Sequence, residues 1–185
     1  MTPDETEARI GRLRSVIHGL GAFARYVQLK RTLVATEPNP RAEFWRIIYG
    51  GLTNLAVIEW CKYFGAPRTN VSHWKRIYQD DIDEFRLGLV QSTGLSEDAF
   101  RTYWSEVKSW RDTDFAHSDP DAQKPSKYPD FAIALKAADY YYDRVYKELS
   151  ELSHFFDIAD LKHYRKVFNY NTASVAERAL NATRI

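Results

Sequence analysis

The spacing of apolar residues most constrains what this chain can fold into. Along its long uninterrupted stretches they recur every three or four positions rather than every two, as at Ile10, Leu13, Ile17 and Leu20. Only eight glycines and seven prolines interrupt the 185 residues, so this helical period runs on with few breaks. The pattern predicts an all-α protein, a helical bundle of about five to seven helices.

Prolines, glycines and capping residues place the helix ends. We expect a first helix over about 4–36, stopped by Glu37-Pro38-Asn39-Pro40, and a second over about 41–64, closed by Gly65-Ala66-Pro67. Further helices are expected at about 73–78, 81–93, 131–152 and 159–181. Ser96 is the expected N-cap of one more helix, whose apolar line includes Tyr103, Val107 and Trp110.

Length and organisation favour a single domain. A chain of 185 residues lies within the usual range for one domain, and it shows no internal repeat and no convincing second-domain boundary. We interpret 1–185 as one helical domain with a basic N-terminal helix at 1–40, a core at 41–152 and a C-terminal helix at 153–185.

Composition argues against several classes of protein. The single cysteine, Cys61, cannot form an intramolecular disulfide, a Cys/His metal site or a paired-thiol redox motif. The acidic segment 1–7 does not resemble a secretory signal. The longest apolar runs, such as 55–60, fall well short of the ~20 residues that a membrane span needs. We therefore expect a soluble cytoplasmic protein that makes no use of a membrane.

Charge is distributed unevenly although the formal net charge is +1. Segment 9–46 carries eight Lys/Arg against two acids, whereas segment 79–121 carries eleven acids against four Lys/Arg. The basic first helix is the best candidate for contact with an RNA backbone, although a solvated face is the more ordinary explanation. Its relevant residues are Arg9, Arg12, Arg25, Lys30 and Arg31. The acidic middle segment counts against unassisted RNA binding there.

One short motif carries groups suited to phosphodiester chemistry. Arg111, Asp112 and His117 lie where the helix opened by Ser96 is expected to end. A histidine can exchange a proton near neutral pH, and a guanidinium can hold two phosphate oxygens. On a regular helix the six-residue step from Arg111 to His117 turns ~240°, which separates the two side chains. They converge only if the helix loosens near Pro120 or if a second copy of the chain supplies the partner.

This motif resembles the signature of the HEPN superfamily, in which an arginine with a polar neighbour precedes a histidine. Five residues separate Arg111 from His117, and Asp112 is the polar neighbour. The upstream strings Trp60-Cys61-Lys62-Tyr63-Phe64-Gly65 and His73-Trp74-Lys75 are also similar to prokaryotic HEPN proteins of the abortive-infection and toxin type. The resemblance covers about two-thirds of the chain, from 44 to about 149.

The resemblance implies a homodimer and, in many members of the family, a metal-independent endoribonuclease with a composite site at the dimer interface. His117 would then act as general base on the ribose 2′-hydroxyl or as acid to the leaving oxygen, Arg111 would stabilise the phosphorane-like charge, and Asp112 would orient these groups. An antitoxin is an expected partner, and no cofactor is expected. The alternative is a non-catalytic HEPN-like module that binds a nucleotide or a protein, with the Arg/His pair serving only to cap a helix end.

The segment His73-Trp74-Lys75 is the second candidate site, predicted to bind substrate by stacking a base and touching a phosphate. The alternative, which we favour for these residues, is that Trp74 packs the short turn onto the bundle while His73 caps it.

Two other groups of residues have structural explanations. Asp112, Asp114, Asp119 and Asp121 lack the glycine and terminal glutamate of an EF-hand loop, so no metal site is expected. The run Tyr140, Tyr141, Tyr142 and Tyr146 points around a helix and is expected to serve the core and a dimer contact.

Overall fold

A computed structural model of the protein describes residues 2–37, 41–68, 70–112, 129–152, 154 and 160–183. Within these ranges the chain is all-helical, which confirms the predicted fold class. The seven described helices are α1 (Pro3–Thr36), α2 (Glu43–Phe64), α3 (Trp74–Ile77), α4 (Ile82–Thr93), α5 (Glu97–Arg111), α6 (Phe131–Glu151) and α7 (Leu161–Ala182). Apart from the C-terminal end of α5, for which the sequence predicts no single residue, their ends agree with the predicted ends to within two residues.

Local capping explains why several helices begin and end where they do. Thr2 and Glu5 form a reciprocal capping box, with Glu5 N–H donating to Thr2 Oγ1 at 3.3 Å and Thr2 N–H donating to Glu5 Oε2 at 2.7 Å. Gly94 ends α4 with φ at 77°, a left-handed conformation that favours glycine. Ser96 then opens α5 by accepting the Ala99 N–H at 3.3 Å, which confirms the predicted N-cap.

One principal hydrophobic core joins all seven described helices. Its largest fully buried apolar side chains are Leu13, Leu20, Phe23, Trp60, Phe64, Phe85, Leu89, Tyr141, Tyr142, Leu149 and Leu161. The predicted apolar line of α5 is buried at Tyr103, Val107 and Trp110. Of the tyrosine run, Tyr141 and Tyr142 lie in the core, whereas Tyr140 and Tyr146 are partly buried against it.

Glycines have two different consequences for helix packing. At Gly19 a Cβ atom would lie 1.5 Å from the Tyr63 hydroxyl oxygen, so α1 accepts this α2 side chain only because residue 19 has none. The α1 helix continues through that point without a break. At Gly50 and Gly51 an added Cβ would meet nothing within 4 Å, so within the described chain no element packs closely against these two positions of α2.

Apolar and polar contacts both hold the last helix to the bundle. Leu161 is fully buried in the principal core, and Ala176 and Leu180 pack with Leu33 and Leu52. Arg165 on α7 forms an ion pair with the buried Asp139 on α6, with Nη2 and Oδ2 3.0 Å apart. Asn169 Oδ1 accepts from Gln28 Nε2 at 3.0 Å and from the Thr32 hydroxyl at 2.6 Å, which joins α7 to α1. Segment 160–183 is therefore packed onto the rest of the bundle. None of the described helices has the length and apolarity that crossing a membrane requires.

Candidate functional site

Arg111 is the last residue of α5 and is held by its neighbour in sequence. Its Nε and Nη2 groups both donate to Asp112 Oδ1, at 2.8 Å and 2.5 Å. The two side chains remain 29% and 43% exposed. Asp112 thus orients the guanidinium, which stays accessible to a ligand in solution. The Nη1 group takes no part in the contact with Asp112.

The end of α2 forms the other side of the Arg111 environment. A Cβ atom at Gly65 would lie 2.5 Å from the Cys61 carbonyl oxygen and 3.3 Å from Arg111 Nη1, so the guanidinium lies close against bare backbone. Burial raises the pKa of the nearby Cys61 thiol to about 11, although the positive charges of Arg111 and Lys108 oppose that rise. Cys61 is therefore protonated at neutral pH and is no nucleophile there.

His117 lies outside the described residues, as do Asp114, Asp119 and Asp121. The pairing of His117 with Arg111 consequently stays a prediction. Among the residues that are described, no cluster of histidine, cysteine or carboxylate side chains is arranged to hold a metal ion.

His73 caps the short helix α3 from within the protein interior. Its Nδ1 accepts the Lys75 N–H at 3.1 Å, so the proton of the neutral ring sits on Nε2, which donates to the Gly65 carbonyl at 3.0 Å. The residue is 1% exposed, and burial lowers its pKa to about 4. His73 is therefore neutral at physiological pH, with both ring nitrogens already engaged.

Trp74 packs onto the bundle beside that cap. It is 6% exposed, and its ring stacks on Phe85 with centroids 5.1 Å apart. The Lys75 ammonium lies over the Trp74 ring, with Nζ 5.3 Å from the ring centroid. His73 and Trp74 therefore cap and pack the short helix, as the structural alternative predicts. Of the three residues, Lys75 is the best placed to meet a ligand.

All three residues nevertheless line a cleft of about 430 Å³ between α3, α4, α5 and the end of α2. Phe64, Trp74, Phe100 and Trp104 supply aromatic surface to this cleft. Its cationic side chains are Lys75, Arg86, Arg101 and Lys108, and its acidic one is Glu97. We refer to it below as the basic cleft.

The fold gathers the cations of the acidic middle segment at this cleft. Segment 79–121 has four Lys/Arg; Arg86, Arg101 and Lys108 line the cleft, and Arg111 adjoins it across Gly65. The excess of acids along this segment of the sequence disfavours RNA binding there. A charge count takes no account of where the side chains point, and the fold brings the cations to one place. The missed signal was the spacing of Arg101, Lys108 and Trp104 at three and four residues, which places them along one side of α5.

The basic first helix uses much of its charge inside the molecule. Arg9 pairs with Glu148 at 2.6 Å and donates to the Ile77 carbonyl at 2.6 Å. Arg25 donates to the Tyr164 hydroxyl at 2.9 Å, and Lys30 contacts the Thr53 hydroxyl. Of the five candidates for RNA contact on this helix, Arg12 and Arg31 are the exposed ones.

No family model, no curated protein and no solved structure matches this chain. The resemblance to the HEPN superfamily therefore depends on the Arg111 to His117 motif and on its helical context.

Proposed function

We propose that this protein is a HEPN-like, metal-independent endoribonuclease of the toxin or phage-defence type, with a composite site at a homodimer interface and an antitoxin as its natural partner. The observation that supports the proposal most is Arg111. Its guanidinium stands at a helix end, partly exposed, and is oriented by the adjacent Asp112. Such a group can bind a phosphodiester without first breaking a buried contact.

The proposed reaction is a transesterification within RNA. His117 removes the proton of a ribose 2′-hydroxyl, the 2′-oxygen forms a bond to phosphorus, and the bond to the 5′-oxygen breaks. A proton returned by an imidazolium completes the 5′-hydroxyl, and the other product ends in a 2′,3′-cyclic phosphate. Arg111 stabilises the charge that develops on the phosphoryl oxygens.

This reaction predicts a specific set of products. In buffer containing EDTA, the purified protein should cut single-stranded RNA and leave 2′,3′-cyclic phosphate and 5′-hydroxyl ends, identified by mass spectrometry. The same strand with 2′-O-methyl groups should stay intact, because it has no 2′-hydroxyl to attack phosphorus. Cuts that leave 3′-hydroxyl ends, or cutting of the methylated strand, would contradict the mechanism.

The outer face of α2 supports the homodimer. Phe44, Ile47, Leu55 and Ile58 are 60%, 65%, 45% and 37% exposed, and with Gly51 they form one stripe opposite the buried side of the helix. The open space at Gly51 would let a second helix approach closely. We call these five residues the α2 stripe.

A second copy of this chain is the occupant that we propose for the α2 stripe. A two-fold axis parallel to the helix would cover both stripes at once and bring the two α2 C-terminal ends to the same side. Arg111 adjoins that end through Gly65, so both guanidiniums would lie near one interface. Lys62 pairs with Glu59 at 2.5 Å there, which limits repulsion between the copies.

Disrupting the α2 stripe should produce a monomer. We expect the double variant Ile47→Glu/Leu55→Glu to sediment as a monomer at concentrations where the wild type is a dimer. Pairing of the two stripes would bury two carboxylates from each copy without partners, which is costly. Analytical ultracentrifugation measures the change. Leu87→Glu is the matched control, since Leu87 is 60% exposed on α4, away from the stripe.

Disulfide trapping tests the direction of the pairing. In a parallel dimer, Phe44→Cys and Ile58→Cys should each cross-link to the same residue of the second copy, whereas antiparallel packing brings only residues near its axis together. The native Cys61 is buried and does not interfere. A wild type that stays monomeric, or cross-linking at neither position, would rule out this interface.

The basic cleft favours a second candidate function, that of a non-catalytic module that binds a nucleotide. In that case RNA remains intact in the assay above, while Arg111→Ala lowers ligand affinity or the stability of the dimer.

A further inference from the structure

We infer that the basic cleft holds one unpaired nucleotide of the substrate RNA, next to the phosphodiester at Arg111, and that the protein therefore selects single-stranded RNA. This inference rests on the proposed function and adds to it a subsite and a substrate preference.

The aromatic side chains of the cleft offer a surface on which a base can stack. Trp104 is half-buried, and its indole N–H donates to the Phe64 carbonyl at 2.5 Å, which fixes the plane of the ring. Phe100 is also half-buried and lines the same space. Stacking on such rings accepts any base and is a common means of binding single strands.

The charges of the cleft suit a phosphate group. Four cations and one acid line it, and His73 is neutral, so positive charge predominates in the lining. Arg86 and Arg101 face exposed carboxylates at 3.4 Å and 3.7 Å, contacts that are weak in water. Lys75 and Lys108 are paired with no carboxylate in the part of the chain that the structure describes. Their ammonium groups lie over the rings of Trp74 and Trp104, 5.3 Å and 5.5 Å from the ring centroids, and these contacts leave their charge in place. A phosphate would therefore meet two ammonium groups beside the aromatic surface, and a base that stacks on Trp104 would share that ring with Lys108.

The size of the cleft limits what it can accept. About 430 Å³ lies within the usual ~300–1,000 Å³ of small-ligand sites, which is room for a nucleotide but not for a duplex. A paired base would have to leave its partner and its stack before it could enter. The cleft should thus discriminate against double-stranded RNA.

The position of the cleft connects it to Arg111. Gly65 lines the cleft, accepts a hydrogen bond from His73 Nε2, and has Arg111 Nη1 3.3 Å from where its Cβ would be. One backbone segment therefore separates the cleft from the guanidinium. A nucleotide in the cleft would leave an adjacent phosphate of the same strand within reach of Arg111.

Binding of a short single-stranded 2′-O-methyl RNA, followed by fluorescence anisotropy, tests the inference without any cleavage. Lys75→Gln and Lys108→Gln should each weaken binding roughly 10-fold. Trp104→Leu should weaken it roughly 5- to 100-fold, and Trp104→Phe, which keeps a ring, should bind more tightly than Trp104→Leu. Lys147→Gln should bind like the wild type, because Lys147 is a 77% exposed lysine of α6 outside the cleft.

Three results would overturn the inference. The first is equal affinity for the strand and for its duplex. The second is unchanged binding by Lys75→Gln, Lys108→Gln and Trp104→Leu alike. The third is cleft-dependent binding of free AMP without binding of the strand. The last result would assign the cleft to a free nucleotide. The methylated strand cannot be cleaved, so this assay measures binding separately from cleavage. If the protein cleaves ordinary RNA but the cleft substitutions leave strand binding unchanged, the cleft is rejected and the ribonuclease stands. If strand binding depends on the cleft but ordinary RNA is never cleaved, the ribonuclease is rejected and the cleft stands.

Discussion

Replacing Arg111 with alanine is expected to slow RNA cleavage by roughly 10²- to 10³-fold, the usual loss when one preorganised group that stabilises transition-state charge is removed. The substitution takes away the guanidinium that Asp112 orients toward an accessible position. Single-turnover cleavage of a labelled RNA measures the effect. Arg111→Lys should recover little of the rate, since an ammonium cannot hold two phosphate oxygens in a planar fork.

The stability of the protein should hardly change in the same variant. The Arg111–Asp112 pair is partly exposed and joins adjacent residues, so its loss should cost less than ~1 kcal/mol of unfolding free energy. Arg178→Ala is a matched control, because Arg178 is an exposed arginine of α7. Wild-type cleavage rates in Arg111→Ala would show that the guanidinium takes no part in the reaction.

Replacing Asp139 with alanine should have the largest effect on stability. Asp139 is 8% exposed at its side chain and pairs with Arg165, which is 15% exposed, so the substitution leaves a guanidinium without its partner inside the α6–α7 contact. Breaking one side of a buried pair costs about 3–5 kcal/mol. Urea unfolding measures that loss, and protection of α7 amides in hydrogen exchange should fall with it.

Two further variants separate charge from packing at this contact. Asp139→Leu/Arg165→Met should regain most of the lost stability, because it removes both charges together. Glu84→Ala breaks the exposed pair with Arg144 and should cost less than ~1 kcal/mol. Equal losses for Asp139→Ala and Glu84→Ala would contradict the structural role assigned to the buried pair.

The helices of this protein could be predicted closely because their signals are local. The apolar period runs within each helix, and the stop at Glu37-Pro38-Asn39-Pro40, the Gly65-Ala66-Pro67 close and the Ser96 N-cap lie next to helix ends. Even the four-residue helix α3 was predicted as a helical turn, with His73 as its cap.

Contacts between distant residues could not be predicted in the same way. The basic cleft joins residues 64–67, 73–75, 86–90 and 97–108, and its form depends on how four elements pack. Arg9 and Arg25 look like solvated charges in the sequence, yet each meets a partner 139 residues away. Gly19 makes room for the Tyr63 side chain of another helix, a contact that no local pattern predicts. Helical period alone carries no information about which neighbour a side chain meets.

The Arg111 to His117 motif is predictable only in part for a related reason. The sequence places Arg111 at a helix end, and the structure has it as the last residue of α5 beside Asp112. His117 lies outside the described residues, so the proximity of His117 to Arg111 stays a prediction, which the His117→Ala variant tests.

Cleavage of RNA by His117→Ala, measured in EDTA beside the wild type, tests the proposed ribonuclease most directly. His163→Ala provides the control, because His163 is an exposed histidine of α7. We predict that the wild type and His163→Ala cut the RNA at similar rates and leave 2′,3′-cyclic phosphate ends, while His117→Ala leaves it intact. Intact RNA with the wild type, or cutting by His117→Ala at the wild-type rate, would contradict the proposed activity.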